Sequence, residues 1–337
     1  MTPCGRSTKT FSFLLLAAAL AAGAPGSDLA AQPPGDGASP LALAAAADYR
    51  QEARYPPHAR AIEAGRPDPV RARHAPTRHA LGGPGGEPPR LEVWAAAVSF
   101  QAPEPVDLFA SLQGPGRRAA AITGEVQDSA GRTVGEVTYR DDGLAPDERA
   151  GDGVYSARFE LPEGEAPEPA EAYLVQVHAT LEDGDFRKVA TGFLYSSPWA
   201  RLTGEIRDRV VDGDLVISAQ VQVERAGRFH VEGTVHTLGG EPVGWAQAAA
   251  ELEPGTHWLD LSFYGLMFHD RRVSGPVRLG TVALTTAGRM PNALAEPLLN
   301  AHVTRPLRLE RLNPRPFGRA DLLEAADRLE RGAGRQR

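Results

Sequence analysis

Residues 141–155 read Asp141-Asp142-Gly143-Leu144-Ala145-Pro146-Asp147-Glu148-Arg149-Ala150-Gly151-Asp152-Gly153-Val154-Tyr155, a stretch whose residue types could do chemistry. Hard cations such as calcium take roughly six to eight oxygen ligands at close range. Asp142, Asp147 and Asp152 recur at a regular spacing, with glycines that permit tight turning. One loop could gather those carboxylates and some backbone carbonyls around a Ca2+ ion. The spacing is not that of an EF-hand, because the D-x-D-x-D-G run and its closing glutamate are missing. The competing reading is a self-capped loop, in which aspartates accept hydrogen bonds from backbone N–H groups and no ion is needed.

Catalytic signatures are sparse. There is no G-x-S-x-G for a serine nucleophile and no H-E-x-x-H for a zinc peptidase. The single cysteine, Cys4, lies in the leader, so the mature chain has no thiol. No catalytic residue and no organic cofactor is assigned. A secreted hydrolase with a carboxylate pair drawn from separate strands stays an alternative, since such pairs leave no local motif. The nine histidines are scattered. His230 and His236 would share a strand face but sit about 20 Å apart, too far for one metal. Trp94, Trp199, Trp245 and Trp258 suit either a sugar-binding platform or core packing, and Trp199 is expected to pack between domains. Leu266-Met267-Phe268 reads as a loop, either an apolar patch or a segment folded back on the core.

The elements that must position these residues are strands. Glycine and proline are abundant, 36 and 29 of 337 residues, which favours turns over long helices. Tyr155, Ala157, Phe159 and Leu161 alternate with polar residues after the Asp/Gly loop, as do Tyr173, Val175, Val177, Ala179 and Leu181. About seven short strands fill residues 91–198, a first sandwich carrying the Asp/Gly loop. A second set, including Leu215–Val223, Phe229–Thr237 and Pro242–Leu252, fills 199–307. The pattern predicts an all-β chain of two tandem immunoglobulin-like β-sandwiches. Residues 24–90 read as a disordered linker and an extended Pro/Arg-rich arm. Residues 308–337 form a tail in which Asp321–Arg331 could make one short helix, with Leu322, Leu323, Ala326 and Leu329 on one face.

The N-terminus reads as a signal peptide over 1–23: Arg6 and Lys9, then an apolar run from Phe11 to Ala22, then small residues. That run is too short for a membrane span, and no later run is longer. The expectation is an exported protein, periplasmic or extracellular, with no transmembrane segment in the mature chain. A formal net charge of -7 argues against nucleic acid as a partner, leaving a protein or a polysaccharide.

Two sets of residues carry a resemblance. The first is Asp141-Asp142-Gly143, then Asp147, then Asp152-Gly153-Val154-Tyr155 leading into a strand. The second is the cadence Ala226–Val231, Leu252–Thr256, Leu261-Ser262-Phe263-Tyr264-Gly265 and Val273-Ser274-Gly275-Pro276-Val277. Together they resemble secreted bacterial β-sandwich proteins of the choice-of-anchor X type and a related uncharacterised proteobacterial domain of unknown function. Val277 stands where an aromatic is usual in that group. The resemblance implies tandem sandwiches on an exported protein and implies no activity. The reading is therefore a non-catalytic accessory module, binding or structural, with a carbohydrate-binding or adhesion module using exposed aromatics as the alternative.

Overall fold

The computed structural model describes residues 40–71, 75–80, 90–113, 119–162, 167, 170–181, 186–286 and 295–334. The signal peptide expected over 1–23 lies outside them. In chain order the elements are α1 (Pro40–Glu52), β1 (Ala59–Ala61), β2 (Thr77–Ala80), β3 (Arg90–Ala95), β4 (Ser99–Gln101), β5 (Val106–Gln113), β6 (Ala119–Gln127), β7 (Thr133–Tyr139), β8 (Val154–Phe159), β9 (Ala170–Leu181) and β10 (Phe186–Ser196). Then come β11 (Ala200–Val211), β12 (Asp214–Val223), β13 (Gly227–Thr237), β14 (Pro242–Leu252), β15 (Gly255–Phe263), α2 (Leu266–Arg271), β16 (Val277–Thr286), β17 (Leu298–Val303) and α3 (Ala320–Gly334).

The strands form four sheets in two pairs. In the first sandwich, β4-β10-β9-β6-β7 faces β2-β3-β5-β8. Its core takes alternate residues of each strand, among them Leu91, Val93, Leu108, Ile122, Val175, Val177 and Phe193. In the second, β1-β14-β13-β16-β17 faces β11-β12-β15, around Leu215, Ile217, Phe229, Val231, Leu261, Phe263 and Val282. Burial at every second position is what a sheet with one solvated face requires. The all-β class and the short C-terminal helix expected from the sequence are both present.

The arm differs from its expectation. Within 24–90, a linker and an extended arm on the sequence, residues 40–52 form a helix of 13 residues. Alanine, the best helix former, dominates it, and Pro40 sits at its first position, where proline lacks nothing it needs. The helix packs on α3 from the far end of the chain. Arg50 bridges Glu330 and Asp327 at 2.7–3.0 Å, and the carbonyl of Ala53 accepts the N–H groups of Gly318 and Arg319. β1 then adds to the edge of β14, pairing Arg60 with Trp245. Tyr55 is buried, and its hydroxyl donates to Asp270 at 2.5 Å. The second sandwich therefore contains both the start and the end of the described chain, and the first sandwich is an insertion between β1 and β11.

Two smaller segments can also be placed. Leu266-Met267-Phe268 is buried, folded back on the core as one of its two readings had it, and forms the first turn of α2 instead of a loop. Trp199 packs against the core of the second sandwich, where its carbonyl accepts the N–H groups of Glu224 and Arg225.

Candidate functional site

The Asp/Gly loop joins β7 to β8, and its base is closed by reciprocal backbone bonds between Arg140 and Ser156, both 2.8 Å. Asp141, Asp147 and Asp152 each place a carboxylate oxygen within 4.8 Å of the others. The sequence expectation of Asp142, Asp147 and Asp152 is corrected at one member. Val137 and Tyr139 point inward, and strand parity carries Asp141 inward with them. Asp142 faces solvent and accepts only the Leu144 N–H, at 3.0 Å, in an Asx turn.

Each clustered carboxylate already holds backbone donors. Asp141 accepts Gly151 N–H at 2.5 Å and Gly153 N–H at 3.0 Å. Asp147 accepts Gly143 N–H at 2.6 Å and Arg149 N–H at 3.1 Å, and Asp152 accepts Val154 N–H at 2.8 Å. The Gly143 bond, seconded by Arg149, holds the Asp147 carboxyl below the usual carboxylate range. Gly143, Gly151 and Gly153 all have positive φ, and a Cβ on Gly143 would lie 2.9 Å from Ala150 N, so glycine is required there. The loop is built to converge carboxylates, and nearly all of that convergence is explained by its own N–H groups.

A second polar cluster was not found from sequence. Asp68 lies on the outer face of the β13–β16 sheet, where that sheet carries a bulge between Gly233 and Val235. Its Oδ2 accepts the hydroxyls of Thr234 at 2.7 Å and Thr281 at 2.6 Å, and lies 3.4 Å from His236 Nε2. Its Oδ1 accepts the N–H groups of Val70 and Arg71. Burial pushes the Asp68 carboxyl up, but the bonds from His236, Thr281, Thr234 and Val70 outweigh it and hold the group well below the usual range. The bond to Asp68 raises His236 in turn, against its own burial. The sequence signal was Pro67-Asp68-Pro69: two prolines fix an extended backbone around one carboxylate.

The tryptophans fall on different surfaces. Trp94 stacks on Phe109 at 5.5 Å, and Trp245 donates to Glu232 at 3.1 Å beneath the Arg60 guanidinium. Trp258 is half-buried on the outer face of β11-β12-β15, with the Arg207 guanidinium 3.9 Å from its ring centroid. Around it on that face stand Gln220, Gln222 and Thr256, and Arg209, Ser218 and Asp260 form one hydrogen-bonded row. The histidines stay apart: His230 bonds Gln247, His257 bonds the Glu253 carbonyl, His269 the Leu312 carbonyl and His302 Asp208.

No curated protein matches the chain. Among solved structures, a DUF4785 family protein from Legionella pneumophila subsp. pneumophila is similar at 20% identity and a TM-score of 0.47, over 66% of this chain. The chain spans 57% of the length of that protein. CopC from Methylosinus trichosporium OB3b matches 31% of this chain and 86% of its own at 22% identity, TM-score 0.21. Alpha-2-macroglobulin of E. coli matches 69% of this chain and 15% of its own at 11% identity, TM-score 0.33. Residues 199–298, from the residue before β11 to the first residue of β17, match the family model described as the domain of unknown function DUF4785, C-terminal domain.

Proposed function

We propose that this chain is an exported, non-catalytic accessory module that binds polysaccharide on the outer face of β11-β12-β15. One observation carries the reading. That face presents the half-buried Trp258 ring, stacked by the Arg207 guanidinium 3.9 Å from its centroid, beside the side-chain amides of Gln220 and Gln222. A sugar ring that displaces Arg207 would meet an aromatic face with amides and hydroxyls at its rim, which matches the apolar and polar faces of a sugar. Export is supported by the leader-like N-terminus and by the resemblance to secreted choice-of-anchor X proteins.

The test is affinity electrophoresis against a panel of neutral and acidic polysaccharides. Retardation by at least one polymer, reduced at least tenfold in affinity by Trp258→Ala with an unchanged fold, is the expected result. Tenfold corresponds to about 1.4 kcal/mol, within the range for one stacked aromatic. Retardation equal in the variant, or no retardation by any polymer, overturns the reading.

The Asp/Gly loop enters this proposal as a brace for one end of the first sandwich. Asp141→Ala strands two N–H groups and is expected to cost about 1–2 kcal/mol, read as a lower denaturant midpoint. Calcium at millimolar levels would tighten the same brace through Asp141, Asp147 and Asp152. A rise in the thermal midpoint with calcium, lost in Asp141→Asn/Asp152→Asn, is the result that makes it a metal site. Superimposable curves with calcium and with chelator leave a self-capped turn.

A further inference from the structure

We infer that the cleft between the arm and the β16–β17 edge binds a phosphate group, free or as a monoester. The cleft has a volume of about 230 Å³. That is below the range of roughly 300–1,000 Å³ for drug-sized ligands, and suits a small ion or one charged group. Arg71 lines it from the arm, and Arg278 and His236 line it from the sheet. It lies on a different sheet from the Trp258 face, and the inference stands whether or not that face binds sugar.

The charge on this cleft follows from its hydrogen bonds. Asp68 is ionised and can only accept, so the Thr234 hydroxyl hydrogen points to it. Thr234 Oγ1 must then accept from His236 Nε2, 3.2 Å away. The other ring nitrogen, Nδ1, faces the Gly240 carbonyl at 3.3 Å, and a carbonyl also only accepts. Both nitrogens therefore carry hydrogens, and His236 is an imidazolium. Its charge cancels that of Asp68, whose oxygens are already taken by two hydroxyls and two N–H groups.

Arg71 and Arg278 remain. Neither guanidinium has an ion-pair partner among the described residues, and no other carboxylate lines the cleft. Two uncompensated cations at one small opening call for a dianion. Phosphate supplies that charge and enough oxygens for two guanidinium forks, while a single carboxylate would satisfy one. The backbone is shaped for access. Gly280 forms part of the cleft wall with the His236 ring directly against it, where a Cβ would lie 2.5 Å from that ring. Asn300, at the bulge in the adjacent strand β17, holds a left-handed φ of 51° and lines the same cleft.

Thermal melts of the full chain with inorganic phosphate, glycerol 3-phosphate or D-glucuronate, each at one ionic strength set with sodium chloride, test this. Either phosphate compound is expected to raise the midpoint by roughly 5 °C near saturation, with little effect of glucuronate. The shift should vanish in Arg71→Gln/Arg278→Gln, whose midpoint without phosphate should not fall, because two like charges have been removed. A response to inorganic phosphate alone identifies the free ion, and a larger response to glycerol 3-phosphate identifies a monoester. No shift beyond sodium chloride, an equal shift in the double variant, or a response to glucuronate alone overturns the inference. Should the double variant misfold, calorimetric titration of each single variant with inorganic phosphate gives the same decision: affinity must fall at least tenfold in each.

Discussion

Asp68→Ala is expected to lower stability by about 3 kcal/mol and to release the arm from the second sandwich. The side chain is charged and only 12% exposed, and its removal leaves the Thr234 and Thr281 hydroxyls without their acceptor and the His236 imidazolium without its counter-charge. Breaking a buried charged hydrogen-bond network costs on the order of 2–5 kcal/mol. For a domain of this size that is a fall of roughly 6–12 °C in the midpoint. Glu63→Ala, which removes only an exposed pair with Arg66, should change stability by less than about 0.5 kcal/mol. Limited proteolysis should locate the released segment, with new cleavage between Ile62 and Arg71 in Asp68→Ala alone.

The same node sets a pH window. Asp68 titrates below its unfolded value of about 3.9, so its contribution is present above that pH and is lost as pH falls through the depressed value. His236 is raised by Asp68, with Arg278 working against it, so its contribution is complete below about 6.5 and is lost as pH rises through the raised value. The arm should be held most tightly between those limits. Hydrogen exchange of the Val70 and Arg71 amides, corrected for intrinsic rates, should be slowest there and should accelerate as pH rises through the raised His236 value. In His236→Gln the alkaline acceleration should disappear; if it persists, another group is titrating.

Gly265→Ala is expected to cost about 3 kcal/mol or more, or to prevent folding. An added Cβ would lie 2.3 Å from the Gly213 carbonyl oxygen, 2.4 Å from Asn313 N and 2.8 Å from the Asn313 carbonyl oxygen. All three are backbone atoms in a locked crossing. Asn313 N–H donates to the Gly213 carbonyl, Asp214 accepts the Gly265 N–H, and the Tyr264 hydroxyl donates to the Arg315 carbonyl. None can yield without opening the joint between the second sandwich and its tail, so the penalty exceeds ordinary overpacking of a side chain. The contrast is Gly332→Ala in α3, where nothing lies within 4 Å and a helix interior gains up to about 1 kcal/mol. Denaturant midpoints of the two variants should move in opposite directions.

The glycine of Leu261-Ser262-Phe263-Tyr264-Gly265 shows how much of this molecule could be read in advance. Its cadence was visible, but the cause was not, because Asn313 lies far along the chain. Strands were legible wherever one face is buried: Tyr173, Val175, Val177, Ala179 and Leu181 alternate in the sequence and all five are buried. Helix α1 was not legible, because its hydrophobic stripe is weak and its partner, α3, is about as far away in sequence as the chain allows. Asp141 was missed for Asp142 because a regular spacing along a loop says nothing of which side each residue faces. Asp68 was missed entirely: Thr234 and Thr281 reach it across 166 and 213 residues, and only the sheet brings the three together.

The insertion of the first sandwich between β1 and β11 has a consequence for how the molecule assembles. Residues 75–198 hold every strand of the first sandwich, so that unit can close as soon as it emerges. The second cannot. Its first strand, β1, must wait for β14, and α1 must wait for α3, which comes last. Until then the early segment travels as an unpaired strand and an orphan helix, and an unpaired strand edge is the kind of feature that associates wrongly. Early closure of the insertion shortens that wait in space if not in time, because it draws residue 71 and residue 199 toward one another and replaces a long flexible loop with a compact spacer. The first sandwich thus acts on its neighbour as an assembly jig, and sequence changes that slow its closure should appear as aggregation of the second.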